Sequence, residues 1–307
     1  MSDRDGDPTR VRFGIKTTPV HTTYDEILRI WQEADEVPEI EDAWLWDHLL
    51  PLYGPADGPI YEGWTLLGAL AAQTRRLRLG LLVTSNRIRE PAVLGKIAGT
   101  VDAISHGRLI MGLGVGGTYQ PDGSGGIAGP NPAVAEYEAY GLPLVSPAEG
   151  IARLSETIEI LERMWSEPVF DFEGRYYQLR GTRNEPRPVR RPPLLLGGWG
   201  NRTLRLIAER ADYWNIPGPP HNSPEFLAER GRVLDAHCAA LGRDPRQITR
   251  SVQLVISADD PVGVRKMIVD LVGLGFTHIV LGVRPPYPRQ VAHWLADEII
   301  APVRAEL

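Results

Sequence analysis

The sequence predicts an α/β fold, a single (β/α)8 TIM barrel with insertions between its fourth and fifth strands. Short apolar, β-branched runs alternate with helical patterns along the whole chain. Each such pair occupies roughly the 30 residues that a βαβ unit needs. Eight strands and eight helices can be read in strict alternation, which suits a closed barrel better than an open doubly wound sheet. A chain of 307 residues has the length for two ordinary domains, but barrels of roughly 250 residues fold as single units. One domain is therefore expected over 11–307, behind a disordered tail over 1–10.

Taken from the N-terminus, strand 11–16 is apolar and is followed by helix 24–35. Strand 42–46 is rich in aromatics, and helix 61–74 begins after the loop 49–60 with Glu62 in its first turn, where an acid suits the helix dipole. Strand 77–84 leads to helix 91–105, and strand 108–114 closes on glycines. The spacing breaks next, at a Gly/Pro-rich loop, 116–146, and at a hairpin, 170–179, turning at Glu173-Gly174, with helix 147–165 between them. Strand 193–197 resumes the pattern with helix 201–211, then strand 213–216, helix 224–241, strand 249–257, helix 261–274, strand 278–283 and helix 288–306. Five helices begin with proline, at Pro91, Pro147, Pro224, Pro261 and Pro288. A first helical turn accepts proline because its missing N–H has no intrahelical partner there anyway. The loop 116–146 leaves the C-terminal end of a strand, where barrel active sites lie, and is read as a lid or substrate-contacting loop; the alternative is a floppy surface excursion.

Composition excludes several function classes. A hydrophobic fraction of 43% with 23% charged residues supports a packed core, and the net charge of −6 leaves no footprint for nucleic acid or a membrane surface. A small-molecule substrate and a cytoplasmic protein are expected, since no apolar run of about 18 residues occurs and the first ten residues, MSDRDGDPTR, lack the pattern of a signal peptide. Lone Cys238 reads as a small buried side chain, and neither it nor the seven histidines shows metal-ligand spacing, so no metal is expected. Lys16, Lys96 and Lys266 are the only lysines, which reads as compositional bias rather than as a site. Glu41 and Asp42, at the far end of the second strand, are expected to be solvated.

Three strand ends carry candidate chemistry. Asp47-His48 ends the second strand, and histidine titrates near neutrality beside a carboxylate that can orient it or hold its charge. The competing role is a loop tied to backbone carbonyls. Gly112-Leu113-Gly114-Val115-Gly116-Gly117 ends the fourth strand with backbone that a ligand can approach closely; an exit bend explains part of it. Gly197-Gly198-Trp199-Gly200 runs into a helix N-terminus, a site suited to phosphate; the bland alternative is a tight turn with Asn201 as helix cap. No Gly-x-Ser-x-Gly nucleophile motif occurs.

In this order the three ends resemble the bacterial luciferase-like family of flavin and deazaflavin enzymes, from Val11 to about Val303. Supporting motifs are Ala43 to Leu49, Thr74 to Gly80, Ile104 to Leu109, Gly174-Arg175-Tyr176-Tyr177 and Ala211 to Asn215. The resemblance implies a flavin-like ring across the barrel mouth, its phosphate toward Gly116-Gly117 and Gly197 to Gly200. The Asp-His pair looks like that of the branch using coenzyme F420 rather than FMN, which implies His48 as acid or base and Asp47 at the ring edge. It also implies a non-proline cis peptide near Leu81-Leu82, so that Leu82, Val83 and Thr84 join Gly114, Val115, Gly116, Gly117, Gly197, Gly198, Trp199 and Gly200 as cofactor residues. Trp46 and Glu62 are candidate substrate contacts, and a homodimer is implied. Gly117 departs from the sugar-phosphate dehydrogenase branch, which has a glutamate after its glycines; Ser85 and Glu90 depart as well. Arg87, Arg89, Arg183 and Arg187 are candidates for attracting the cofactor's acidic tail.

The leading expectation is hydride transfer between F420 and a small organic substrate. The alternatives are an FMN-dependent monooxygenase of the same fold and a non-catalytic cofactor-binding relative.

Overall fold

A computed structural model describes residues 10–116 and 132–307. The chain runs β1 (Arg12–Lys16), α1 (Tyr24–Glu36), β2 (Ile40–Leu45), α2 (Gly63–Gln73), β3 (Arg78–Leu81), β4 (Thr84–Ser85), α3 (Pro91–Ile104) and β5 (Met111–Gly114). Next come α4 (Pro132–Ala139), α5 (Pro147–Ser166), β6 (Phe170–Glu173), β7 (Gln178–Thr182), β8 (Leu194–Gly197), α6 (Asn201–Arg210), β9 (Tyr213–Ile216) and α7 (Pro224–Ala240). The chain closes with β10 (Thr249–Val255), α8 (Pro261–Gly273), β11 (Phe276–Gly282), α9 (Val291–Trp294), a π-helical turn at Leu295–Ile300 and α10 (Ala301–Glu306).

The strands pair in parallel in the order β3-β2-β1-β11-β10-β9-β8-β5-β4. β3 and β4 are two pieces of one barrel strand, divided at a cis Leu82–Val83 peptide. A Leu79–Leu109 bridge and bonds from Leu79 N to Arg108 O and from Ile110 N to Leu79 O bring β3 against the strand of β5 and close the ring. This is the predicted barrel, with β6 and β7 forming the predicted antiparallel hairpin outside it.

The proline rule holds at α3, α5, α7 and α8, each with proline in the first turn, and side chains of Ser146, Ser223 and Asp260 cap the last three. It fails at the C-terminus: Gln290 is in the left-handed region (φ 54°), so the last helix starts at Val291 rather than at Pro288. The insertion 116–146 was read as a loop, yet α4 occupies part of it. Pro132 opens that helix by the rule that locates the others.

Most apolar side chains pack between strands and helices, as Phe13, Ile15, Ala43, Leu45, Leu79 and Leu113 do. Alternate residues point into the barrel. There a small apolar cluster of Trp44, Leu82, Ile110, Leu195, Tyr213 and Val280 shares the interior with buried polar groups, among them Asp42, Asn215, Ser251, Gln253 and His278.

Three arginines close the end of the barrel opposite the strand C-termini. Arg76 donates to the carbonyls of Ala34, Asp35, Val37 and Ile40. Arg108 serves Ala71, Thr74, Leu77 and Ser105 in the same way, and Arg243 serves Ile207, Ala208 and Ala211. Each guanidinium satisfies carbonyls left open where a helix ends, which gives the Arg76 and Arg108 motifs a structural origin.

Candidate active site

At the C-terminal ends of the strands lies a cavity of about 490 Å³, in the usual range of small-molecule sites. Asp47 and His48 reach it from the end of β2, Leu82 and Val83 from the break between β3 and β4, and Gly114, Val115 and Gly116 from the end of β5. Gly197, Gly198, Trp199 and Gly200 line the opposite side. The strand ends singled out in the sequence therefore share one cavity. Gly117 and most of the loop before α4 lie outside the described residues, as does the tail over 1–9.

His48 is held by a residue that the sequence did not indicate. Its Nδ1 lies 3.1 Å from Oε2 of Glu136, on α4, and the Glu136 carboxylate is almost wholly buried. Oε1 of Glu136 accepts from the backbone N–H groups of Leu49 and Leu50. A carboxylate on Nδ1 fixes that nitrogen as the N–H donor and leaves Nε2 for proton exchange. Burial pushes the Glu136 carboxyl up, but the bonds from His48, Leu49 and Leu50 outweigh it and hold the group below its ordinary value. Next along α4, the Tyr137 hydroxyl bonds Ser85 Oγ, so Ser85 anchors α4 to the strand end.

Asp47 lines the cavity, yet both its oxygens are taken by Arg89, at 2.7 and 2.9 Å. Arg89 also bonds Glu62, whose carboxylate accepts from Trp64 N and Thr65 N as the cap of α2. Burial alone would lower the Arg89 guanidinium; its two carboxylate partners raise it above its ordinary value. Glu62 is thus a helix cap and an arginine partner and does not line the cavity. Arg87 is also committed: it donates to Val115 O and Pro143 O and lies over the Tyr137 ring at 4.7 Å. Neither Arg87 nor Arg89 is a loose rim cation of the kind expected for attracting an acidic tail.

The expected non-proline cis peptide is present, at Leu82–Val83, one bond on from Leu81–Leu82. Thr84 does not line the cavity: it is fully buried and its hydroxyl accepts from Trp64 Nε1 at 2.9 Å, while Ser85 lines the cavity. Trp46 stands beside the cavity, its ring 5.5 Å from that of His48 and 5.8 Å from that of Tyr53.

The glycines have separate causes. A Cβ on Gly112 would come within 1.9 Å of Leu81 O, so close approach of the neighbouring strand dictates that residue. Gly116 is in the left-handed region (φ 77°), where glycine carries no Cβ penalty. Gly200 precedes α6 without a side-chain cap bond, and Asn201, expected as a possible cap, bonds His237 instead. The first N–H groups of α6 are left without a side-chain acceptor beside Gly197 to Gly200. A phosphate-bearing ring cofactor fits this arrangement of apolar wall, glycine backbone and uncapped helix start.

Below the cavity the barrel interior carries a file of hydrogen bonds. Lys16 Nζ donates to Gln253 Oε1, Gln253 Nε2 to Asn215 Oδ1 at 2.7 Å, and Asn215 Nδ2 to Ser251 Oγ at 2.7 Å. Ser251 Oγ meets His278 Nδ1 at 2.8 Å, and His278 Nε2 lies 3.1 Å from Asp42. Asp42 is therefore buried rather than solvated; burial would raise its carboxyl, but His278 and Trp44 bring it below the ordinary range. Gln253 and Asn215 line the cavity. Their alternating positions were legible in the strands, but an alternating polar residue reads as solvent-facing until the sheet is known to close.

A profile of the luciferase-like monooxygenase family matches residues 8–276. An uncharacterised protein of Mycobacterium tuberculosis is 31% identical over 232 residues, which are 75% of this chain and 70% of the relative. The phthiodiolone/phenolphthiodiolone dimycocerosates ketoreductase of the same species is 30% identical over 266 residues, 78% of this chain and 63% of the relative. Among solved structures, an F420-dependent secondary alcohol dehydrogenase in complex with an F420-acetone adduct superposes with a TM-score of 0.79 at 16% identity, covering 96% of this chain and 99% of that one. The monooxygenase RslO1 from Streptomyces bottropensis superposes with a TM-score of 0.71 at 21% identity, covering 94% and 99%. At these identities the structures establish the fold alone.

Proposed function

The chain belongs to the luciferase-like monooxygenase family, and from that premise we propose that it is an oxidoreductase moving a hydride between coenzyme F420 and a carbonyl or alcohol carbon of a small organic substrate. The observation that carries the reading is His48 at the cavity wall with Glu136 on its Nδ1. The reductase and dehydrogenase descriptions of the two relatives named above support hydride chemistry at a carbonyl.

A bound deazaflavin would supply or take up the hydride. Leu82, Val83 and Val115 offer apolar surface to a planar ring, while backbone N–H groups at Gly116, Gly197 to Gly200 and the start of α6 would hold its phosphate. In the reducing direction His48 Nε2 gives its proton to the carbonyl oxygen as the hydride reaches the carbon; in the oxidising direction Nε2 takes the hydroxyl proton. The Glu136 carboxylate holds Nδ1 and fixes the orientation of the ring. Acid/base assistance of this kind is worth about 10²–10⁴ in rate. Asp47, tied to Arg89, shapes the wall next to His48.

The test is titration of the purified chain with F420 and with FMN, followed by absorbance, and then turnover on a panel of alcohols and ketones. Preference for F420 with dehydrogenase turnover is expected, and His48→Asn should keep cofactor affinity while losing about 10²–10⁴ in kcat. Preference for FMN with oxygen-dependent product would assign a monooxygenase instead, and tight binding without turnover a non-catalytic relative.

A further inference from the structure

Lys16, at the end of β1, is a half-buried cation without a carboxylate partner among the described residues. Its one hydrogen-bond acceptor is the amide oxygen of Gln253, and its Nζ stands 5.7 Å from the centre of the Trp46 ring. The remaining N–H groups of the ammonium have no acceptor among the described residues. The same indole carries a second unmet donor, since Trp46 Nε1 is enclosed and has no hydrogen-bond partner. Trp46 packs against Tyr53, and the guanidinium of Arg284, just beyond β11, lies 5.2 Å from the Tyr53 ring centre, on the exposed rim. Arg284 has no ion pair among the described residues either. Burial first, and then the Arg284 charge, lower the Lys16 ammonium from 10.5 to about 8.

Charges partly withdrawn from water are normally paired, and enclosed N–H groups normally find an acceptor, because leaving them without one is costly. Two cations that repel each other and an unmet indole N–H on one side of the barrel mouth are what an absent anion would satisfy. The Trp46 ring touches that of His48, so the site adjoins the proposed proton carrier. It is also distinct from the glycine loops and the start of α6, where the phosphate of the cofactor is placed.

We propose that Lys16, Trp46 and Arg284 form a subsite for a carboxylate on the substrate, which sets the substrate's reacting carbon beside His48. The proposal rests on the oxidoreductase reading for its orientation toward His48, but the subsite itself can be tested without cofactor. Calorimetric titration with benzoate, using methyl benzoate as the uncharged control, should show benzoate binding at least about tenfold more tightly, the effect of one charge-assisted hydrogen bond. Lys16→Gln and Arg284→Gln should each weaken benzoate about tenfold and leave methyl benzoate unchanged. Arg284 is exposed, so its variant keeps the test decisive if the Lys16 variant does not fold. Benzoate should also shift the Trp46 indole N–H resonance, assigned by its loss in Trp46→Phe.

Equal binding of acid and ester, no benzoate binding, or affinities untouched by both substitutions would overturn the subsite. So would a fall in cofactor affinity without a fall in benzoate affinity, since the corner would then hold an anion of the cofactor. Failure of the cofactor titration with benzoate binding intact would instead remove the oxidoreductase reading and keep the anion site.

Discussion

The imidazole of His48 is fixed from one side. Glu136 holds Nδ1, Trp46 meets the ring edge-on at 80°, and Nε2 is left to the cavity. Because the Glu136 carboxyl is held below its ordinary value of 4.5, folding favours its charged form. The stabilisation is therefore complete above that ordinary value and is lost as pH falls through the lowered one. Acidification below about 4.5 is expected to release α4 from the 48–50 segment. Amide exchange at Leu49 and Leu50 reads this directly: both should lose protection at low pH in the natural protein. In Glu136→Gln, which keeps an acceptor but carries no charge, that acid step should be missing; an unchanged pH profile would show that Glu136 does not control the docking. None of this was visible in the sequence, because Glu136 is 88 residues from His48 and no spacing rule connects a strand end to a distant insertion.

At the scale of elements, the glycines separate into those that backbone contact requires and those it tolerates. Gly112 in β5 has the carbonyl of Leu81 where a Cβ would stand, at 1.9 Å, and a carbonyl in a closed sheet cannot move aside. Gly112→Ala should lower stability by about 1–3 kcal/mol, the usual cost of overpacking. Gly68 lies inside α2 with its nearest neighbour, Val101 Cγ2, at 3.9 Å. Gly68→Ala should raise stability by about 0.5–1 kcal/mol, because glycine inside a helix costs backbone entropy that alanine does not. Urea titration of both variants checks the contrast, and equal effects would contradict it. Composition marked the glycines ending β5 and β8 as special and suggested ligand approach. The reason for Gly112 is instead strand against strand, which only the paired sheet displays.

Across the whole molecule the two ends of the barrel do different work. The strand C-termini carry the cavity, and the opposite end is held by Arg76, Arg108 and Arg243 on the carbonyls of helix ends. Arg108→Met would leave the carbonyls of Ala71, Thr74, Leu77 and Ser105 without that donor. A loss on the order of 4 kcal/mol is expected, at about 1 kcal/mol for each of the four lost bonds. The kcat of the folded enzyme should stay unchanged, the reverse of His48→Asn; thermal melts beside steady-state rates distinguish the two. The sequence by itself determined the barrel, its hairpin, the proline-led helices and the glycine-rich and Asp-His strand ends that meet at one cavity. These follow from periodicity and local backbone preference, which act over a few residues and leave their mark in order along the chain. Tertiary structure alone decided that Glu136 backs His48, that Arg89 occupies Asp47, that Thr84 turns to Trp64, and that Asp42 and Lys16 lie at the two ends of one polar file inside the barrel. Those pairings depend on closure of the sheet, which turns one face of every strand into a shared interior and brings together side chains that sequence separation keeps apart.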